Sequence, residues 1–306
     1  MMNCNPENLA RIHKALHWVS KKPDGIVINH SDGVENLLVI KDGDIVSLHF
    51  MDTKMLLIKT KISDSMSSID ISDPLNLKGQ YAQAMMLSLV FKPQPKKLYM
   101  LGFGGGRVPM VFHHYIPELV IEASEHSQGV IQLAEACFGI TLDDRIRIST
   151  KDGREHLASF PENHFDIILL DSFSGIGDHP NQLSTQEFYQ LCKSRLTQDG
   201  VVVTNLVDNN PYFKQKVATF CAAFKYSYQY ESKGVYIFFG SDTDDFSQTE
   251  FRQKAQEIVA QYTFEFPLLE SSHCVTKCRA EMFSDKRLRD NDIYEQDIEQ
   301  GAIALI

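Results

Sequence analysis

The sequence predicts an α/β protein in which a doubly wound, mostly parallel sheet follows a small antiparallel β unit. Predicted strands and helices alternate from Leu98 to Asn205, which is typical of successive βαβ units. Two strands are almost continuously apolar, Ile167–Leu170 and Val201–Val203, as strands covered on both faces are. The first strand of the series ends in a glycine-rich turn, Gly102–Gly106, and a helix follows it. A strand, a glycine turn and a helix in this order are typical of the nucleotide-binding corner of such a sheet.

Residues 1–78 are predicted to form the small N-terminal domain. Pro6–Val19 carries apolar residues at helical spacing, and Pro6 suits the first helical position. Asp42-Gly43 is a hairpin-turn signal between two strands. The polar stretch Met66–Pro74 is predicted to be an irregular connection. The strands expected in this domain are Ile26–Asn29, Asn36–Ile40, Ile45–Phe50 and Met55–Ile62.

Residues 79–306 are predicted to form the main domain. It begins with an apolar helix, Gln80–Phe91, which Pro93 ends. The charged tail Phe283–Glu299 is expected to be loosely held. Between them the predicted order is strand Leu98–Leu101, helix Val108–Tyr115, strand Leu119–Ser124, helix Gly129–Phe138, strand Arg145–Ile148, helix Gly153–Phe160, strand Phe165–Leu170, helix Thr185–Leu196, strand Val201–Asn205, helix Tyr212–Phe224, strands Ser227–Tyr230 and Val235–Phe239, and helix Phe251–Tyr262.

Composition narrows the class of protein. A net charge of −10 disfavours a nonspecific nucleic-acid surface and suits a cationic substrate or simple solubility. Six cysteines in 306 residues are too scattered for a disulfide framework, so a reduced, cytoplasmic protein is expected. No run approaches 18 apolar residues, and the N-terminus lacks a signal-peptide pattern, so we expect no membrane span or export. His273, Cys274 and Cys278 offer three ligands without a fourth, so no metal is expected.

Ligands of open α/β sheets lie across the carboxyl ends of the strands, so the residues after each strand are candidates for a site. Gly102, Gly104 and Gly105 let the backbone approach a ligand, and the amides of the following helix point into the same space. Glu125 follows the second strand, about 20 residues after the turn, where an acidic side chain meets ribose hydroxyls. The sequence therefore predicts a nucleoside site at this edge.

Two further acidic residues follow strands. Asp152, with Gly153 beside it, comes after the third strand, where it can accept a hydrogen bond from the exocyclic amine of an adenine. It is equally suited to cap the next helix, and both roles can hold together. Asp171 follows four apolar residues. A carboxylate at the exit of a buried strand costs stability unless it is paired or used, so Asp171 is either functional or a cap for loop amides.

Several short motifs in one order add a resemblance. They are Ile71-Ser72-Asp73-Pro74, Tyr81–Met86, Phe91–Lys97, Asp152–Glu155, Asp171–Gly175 and Leu183–Tyr189. In order and spacing they resemble the spermidine synthase (aminopropyltransferase) family, and more closely its divergent bacterial spermidine-synthase-like branch. That family has the class I S-adenosylmethionine-dependent methyltransferase fold, which is Rossmann-like, and carries a small N-terminal β domain.

The resemblance implies an enzyme that moves an aminopropyl group from decarboxylated S-adenosylmethionine to a di- or polyamine such as putrescine, without a metal and commonly as a homodimer. By position it implies that Glu125 holds the ribose and Asp152 the adenine. Asp171 would bind and deprotonate the attacking amine, and a tyrosine near Tyr81 would line the substrate pocket. An amine cannot attack while protonated, so an aspartate beside the sulfonium carbon fits this chemistry.

The chain also departs from the family. Gly105 and Ser174 stand where the family has aspartates, and Met66 stands where it has a glutamine. Asp178 is a candidate replacement for one missing carboxylate, so Ser174 and Asp178 join Tyr81 as candidate substrate-binding residues. Two alternatives therefore stay open: a methyltransferase that uses intact S-adenosylmethionine, or a catalytically inactive homologue that binds a nucleoside.

Overall fold

The computed structural model describes residues 6–31, 36–50, 65–173 and 179–293. The predicted strand Met55–Ile62 and the candidates Ser174 and Asp178 lie outside these residues. The helices are Pro6–Ser20, Gln80–Met85, Ser88–Phe91, Arg107–Tyr115, Gln128–Cys137, Gly153–Ala158, Gln186–Arg195, Phe213–Ala223, Gln248–Tyr262 and Leu268–Ser272, with short 3₁₀ helices at Asn181–Leu183 and Ala280–Met282.

The strands form two sheets. Their bounds are β1 Gly25–Ser31, β2 Asn36–Asp42, β3 Ile45–Phe50, β4 Ser67–Asp70, β5 Lys97–Leu101, β6 Val120–Ser124, β7 Ile146–Ser149, β8 Phe165–Leu170, β9 Leu196–Leu206, β10 Tyr226–Ser232, β11 Val235–Ser241 and β12 Val275–Lys277. The first is a four-stranded antiparallel sheet in the order β1-β2-β3-β4. The second has eight strands in the order β12-β10-β11-β9-β8-β5-β6-β7, in which β5 to β9 pair parallel with one another and β10 to β12 pair antiparallel with their neighbours.

The main sheet is covered on both faces because its central strands alternate between two apolar clusters. Leu98 and Met100 of β5 pack into one cluster, whereas Tyr99 and Leu101 pack into the other. The residues of β8 are all buried and divide in the same way. Strand order reverses between β5 and β8, which is the topological switch point where ligands bind in such sheets. The predicted fold class is confirmed.

The stretch Met66–Pro74 is not wholly irregular, as the sequence pattern predicted, because Ser67–Asp70 forms β4. This strand pairs antiparallel with β3, and its residues alternate between buried and half-buried. Only Ile69 in it is apolar, so the alternation carried too little hydrophobic signal to indicate a strand. The unpaired edge of β3 supplied the hydrogen-bond partners that the local pattern did not reveal.

The predicted helix Gln80–Phe91 is in fact two helices, Gln80–Met85 and Ser88–Phe91. Backbone bonds of the i to i−3 type bridge the junction, from Met86 to Gln83 and from Leu87 to Ala84. The segment stays apolar and buried through the junction, which is why periodicity did not reveal the break.

The prediction that the charged tail is loosely held is wrong for residues 283–293, the part of the tail that the structure describes. Leu288 is 1% exposed, and its N–H donates to Thr219 Oγ1 at 2.9 Å. Asp290 accepts two hydrogen bonds from Arg154, at 2.9 and 2.6 Å. Charge composition indicates a surface segment, but it does not reveal partners that lie 69 and 136 residues away in the chain.

The N-terminal helix and sheet share one apolar cluster with the main sheet: Ile12, Val46 and Met100 belong to it together. The division into domains at residues 1–78 and 79–306 therefore stays a prediction. Among the described residues, no helix is long and apolar enough to cross a membrane.

Candidate active site

A cavity of about 790 Å³ opens at the carboxyl ends of β5, β6, β8 and β9. It brings together these residues predicted from the sequence: Tyr81, Gly102, Gly104, Gly105, Glu125, Asp152, Gly153 and Asp171. Arg107 and Asn205, which the sequence reasoning did not select, line the same cavity. The acidic residues thus converge on one space at the switch point of the sheet.

The glycine turn is shaped by the neighbouring strand end. Gly102 has a φ of +86°, and a Cβ there would collide with the backbone carbonyl of Asp171. Two backbone hydrogen bonds fix this approach: Gly102 N–H donates to Ser124 O and Asp171 N–H donates to Leu101 O, both at 2.9 Å. Only glycine combines this conformation with this contact, so Gly102 lets β5, β6 and β8 end side by side.

The Glu125 side chain is buried and holds the turn in place. Its Oε2 accepts hydrogen bonds from the N–H groups of Phe103 at 3.1 Å and Gly104 at 3.2 Å. Its Oε1 accepts one from Ser127 N–H at 3.1 Å. Nδ1 of the exposed His126 side chain lies 3.3 Å from the same Oε1. A carboxylate oxygen can accept two hydrogen bonds, so a ligand hydroxyl at Oε1 would replace His126 there. The ribose role of Glu125 stays a prediction.

Asp152 caps the helix Gly153–Ala158. Its Oδ1 accepts the N–H groups of both Arg154 and Glu155 at 2.9 Å. The capping role weighed from the sequence is thus present in the structure. Because one oxygen takes both capping bonds, Oδ2 is left for a ligand, and the adenine role of Asp152 stays a prediction.

Asp171 lies half-buried at the end of β8, with part of its surface open to the cavity. Burial raises its pKa to about 6, and a hydrogen bond from Asn205 opposes this rise. That bond, from Nδ2 to Asp171 Oδ1 at 2.9 Å, is the one its carboxylate accepts from the described residues. A carboxyl group of this kind is charged at neutral pH and readily gains a proton, which suits a general base.

Asn205 was missed although a signal for it existed. It is buried in β9, the strand beside β8, one residue before that strand ends. The site residues predicted from the ends of strands follow the first four strands of the parallel series, and Asn205 lies near the end of the fifth. A polar residue after Val201–Val203 carries the same signal as Asp171 after its apolar run.

Arg107 was also missed. It begins the helix after the glycine turn, and its guanidinium is buried, with Nη2 donating to Pro74 O at 2.5 Å and to Asn76 O at 3.4 Å. Burial lowers its pKa to about 10. A charged residue directly after three consecutive glycines was the available signal, but position alone does not say whether such a side chain points inward.

The Tyr81 side chain interacts electrostatically with both Asp171 and Arg107. Its hydroxyl donates to the carbonyl of Met66 at 3.3 Å. Burial raises its pKa; the charge of Asp171 raises it further, and that of Arg107 lowers it. The half of the cavity around Tyr81 therefore contains Asp171 and Arg107, while Glu125 and Asp152 line the other half, where the nucleoside is predicted to bind.

Part of the sequence matches known proteins. Residues 81–238 match the spermine/spermidine synthase domain. A polyamine aminopropyltransferase of Vibrio vulnificus is 28% identical over 192 residues, which are 61% of this chain and 64% of that protein. The chain thus spans about three fifths of the length of such a relative.

Solved structures agree on the fold. A probable spermidine synthase from Corynebacterium glutamicum superposes with a TM-score of 0.67 at 19% identity, covering 88% of this chain and 97% of that one. Human methyltransferase-like protein 13, solved in complex with SAH, superposes with a TM-score of 0.56 at 25% identity, covering 60% of this chain and 93% of that one. The first likeness concerns the fold alone.

Proposed function

The chain belongs to the spermine/spermidine synthase domain family, and we propose that it transfers an aminopropyl group from decarboxylated S-adenosylmethionine to a di- or polyamine such as putrescine. The observation that carries this proposal is the position and state of Asp171. It is a half-buried carboxylate at the switch point, open to the same cavity as the glycine turn, with a pKa raised to about 6.

In this reaction the neutral amine nitrogen attacks the propyl carbon bonded to the sulfonium sulfur. The new C–N bond forms as the C–S bond breaks, its electron pair goes to sulfur, and 5′-methylthioadenosine leaves. The amine proton passes to the Asp171 carboxylate. An aliphatic amine has a pKa of about 10 and is protonated near neutral pH, so the carboxylate first attracts the cation and then accepts the proton.

The rest of the cavity positions the reactants. The glycine turn, Glu125 and Asp152 line the part of the cavity where the adenosine would lie, with its sulfonium carbon toward Asp171. Holding nitrogen, carbon and sulfur in line converts a collision between molecules into a reaction within one complex, which lowers the barrier substantially. Asn205 orients the Asp171 carboxylate through its 2.9 Å bond.

A second candidate is methyl transfer from intact S-adenosylmethionine. The observation that favours it is the absence of an acidic side chain at Gly105, where there is also little room for one. A Cβ there would lie 2.5 Å from Ser67 Oγ and 2.8 Å from Ser67 Cβ. Asp171 would play the same role toward the acceptor, and S-adenosylhomocysteine would leave in place of 5′-methylthioadenosine.

The test is to incubate the purified protein with each sulfonium and a panel of amines, and to identify the nucleoside product by mass spectrometry. Formation of 5′-methylthioadenosine together with an aminopropylated amine supports the proposal. S-adenosylhomocysteine supports the second candidate instead. Nucleoside binding without either product would overturn both and leave the inactive homologue. The predicted homodimer and cytoplasmic location stay predictions, which light scattering and cell fractionation test.

A further inference from the structure

Arg107 is a buried cation in the cavity wall that lacks a carboxylate partner among the described residues. It is 5% exposed, and the groups its guanidinium contacts are neutral: the carbonyls of Pro74 and Asn76, and the Met110 sulfur at 3.7 Å. Its Nε is buried with no hydrogen-bond partner. Asp73 acts on it only through longer-range charge and forms no ion pair with it.

A charge taken out of water without a counter-ion is expensive, so a protein rarely keeps one that serves only packing. Leucine or methionine would fill similar space at less cost. An arginine with an unsatisfied donor beside a cavity is therefore a candidate for binding an anionic group of a ligand. Nη2 already donates to two carbonyls, so a ligand would accept from Nε or from Nη1, whose present partner is the weakly accepting Met110 sulfur. A carboxylate is a suitable partner, because hydrogen bonds between two charged groups are the strong ones.

The surroundings do not neutralise this charge. Gly105 contributes no side chain, and a carboxylate-bearing residue there would collide with Ser67 and approach the Phe138 ring to 3.0 Å. Asp171 is the acidic side chain that the described residues place around Tyr81, and both it and Arg107 act on Tyr81. Over these residues, the half of the cavity around Tyr81 thus combines one negative and one positive group, which matches a molecule bearing both an amine and a carboxylate.

We infer that Arg107 binds a carboxylate on one of the two substrates. That substrate is then a zwitterion, whereas the substrates of an enzyme that acts only on polyamines are cations. The inference rests on the alkyl transfer of the proposed function and replaces one of its two substrates, since neither decarboxylated S-adenosylmethionine nor putrescine has a carboxylate. The carboxylate has two available sources. On the amine acceptor, it makes the acceptor an amino acid; on the sulfonium, it makes the donor intact S-adenosylmethionine and favours methyl transfer.

Two pairs of ligands that differ by one carboxylate test the inference by calorimetry. S-adenosylhomocysteine and its decarboxylated form test the sulfonium side. Ornithine and putrescine, titrated into the complex with 5′-methylthioadenosine, test the acceptor side. We expect the carboxylate-bearing member of one pair to bind about 10- to 100-fold more tightly, the usual value of a hydrogen bond to a charged group. The pair that shows the preference identifies the source.

The variant Arg107→Gln should abolish that preference, and Arg107→Lys, which keeps the charge but not the planar fork, should retain part of it. Binding of 5′-methylthioadenosine, which has neither carboxylate nor amine, should be unchanged in both and serves as the check on folding. If Arg107→Gln does not fold, the wild-type protein and Arg107→Lys still decide the matter.

Equal affinities within both pairs, or a preference that survives in Arg107→Gln, would overturn the inference. Failure of the wild-type protein to bind 5′-methylthioadenosine at all would overturn the proposed function instead. The two failures are therefore distinguishable in one set of titrations.

Discussion

The two halves of the cavity hold their carboxylates differently. In the half predicted to bind the nucleoside, Glu125 accepts three backbone N–H bonds and Asp152 accepts two. In the half around Tyr81, the Asp171 carboxylate accepts one bond from the described residues, and a side chain provides it. The first half is tied to the backbone, whereas the second is assembled from side chains on separate elements.

This difference separates binding from reactivity. Hydrogen bonds from fixed backbone amides hold the geometry of a carboxylate, as a binding group requires. A carboxylate that is partly desolvated and sparsely bonded has a raised pKa, as that of Asp171 is. Such a group changes protonation state easily, as a reacting group requires. Four substitutions test whether the two halves really divide the work in this way.

The largest effect is expected from Asp171→Asn. The amide cannot accept the amine proton, so the turnover rate should fall about 10²- to 10⁴-fold. The affinity for 5′-methylthioadenosine should be nearly unchanged, because the other half binds the nucleoside. Stopped assays and calorimetry measure the two quantities. Asp199→Asn is the matched control, since Asp199 lies on the same sheet but outside the cavity and pairs with Lys92. Unaltered turnover in Asp171→Asn would show that another group is the base.

Glu125→Gln should have the opposite signature. Its amide keeps one acceptor oxygen and places an N–H₂ group against either the turn amides or the ligand, so nucleoside affinity should fall about 10- to 100-fold. Turnover at saturating substrate should change little, as for loss of binding that is uniform along the reaction. Glu122→Gln, three residues earlier on β6 and paired with Arg147, is the control. A loss of turnover alone would contradict the division between the halves.

Asp152→Asn distinguishes the cap from the ligand contact. Asparagine caps a helix about as well as aspartate, so the melting temperature should not change. If Oδ2 accepts the adenine amine, the asparagine N–H₂ would face it instead, and affinity for 5′-methylthioadenosine should fall about tenfold. Asp152→Ala removes the cap as well and should also lower the unfolding free energy by about 1 kcal/mol. Unchanged affinity of Asp152→Asn for 5′-methylthioadenosine would show that Asp152 caps the helix and does not contact the ligand.

The smallest effect is a shift in pH dependence. A base must be deprotonated to act, so kcat/KM should rise with pH and level off above the pKa of Asp171, near 6. The Asn205 bond lowers that pKa, so Asn205→Leu should move the bend to higher pH. The residual activity of Asp171→Asn should show no bend in this region. If the bend in the pH profile stays at the same pH in Asn205→Leu, the group that titrates there is not Asp171.

Much of this arrangement could be predicted because it depends on short-range patterns. The glycine turn, Glu125, Asp152 and Asp171 each stand at or shortly after the end of a predicted strand, and parallel strands carry such residues to one edge of the sheet. The tail could not be predicted in the same way. Leu288 and Asp290 are held by Thr219 and Arg154, whose distance along the chain leaves no local trace.

The order of residues by itself determined the doubly wound sheet and the edge where ligands bind, because both follow from alternation along single strands and from the handedness of their connections. Only the tertiary structure decided the electrostatics of the cavity: that Glu125 Oε2 accepts two amides of the turn, that Asn205 supports Asp171, and that the buried Arg107 guanidinium has no carboxylate partner within the described part of the chain. Protonation and charge pairing depend on desolvation and on neighbours in space, and these are properties of packing between elements that are distant in the chain.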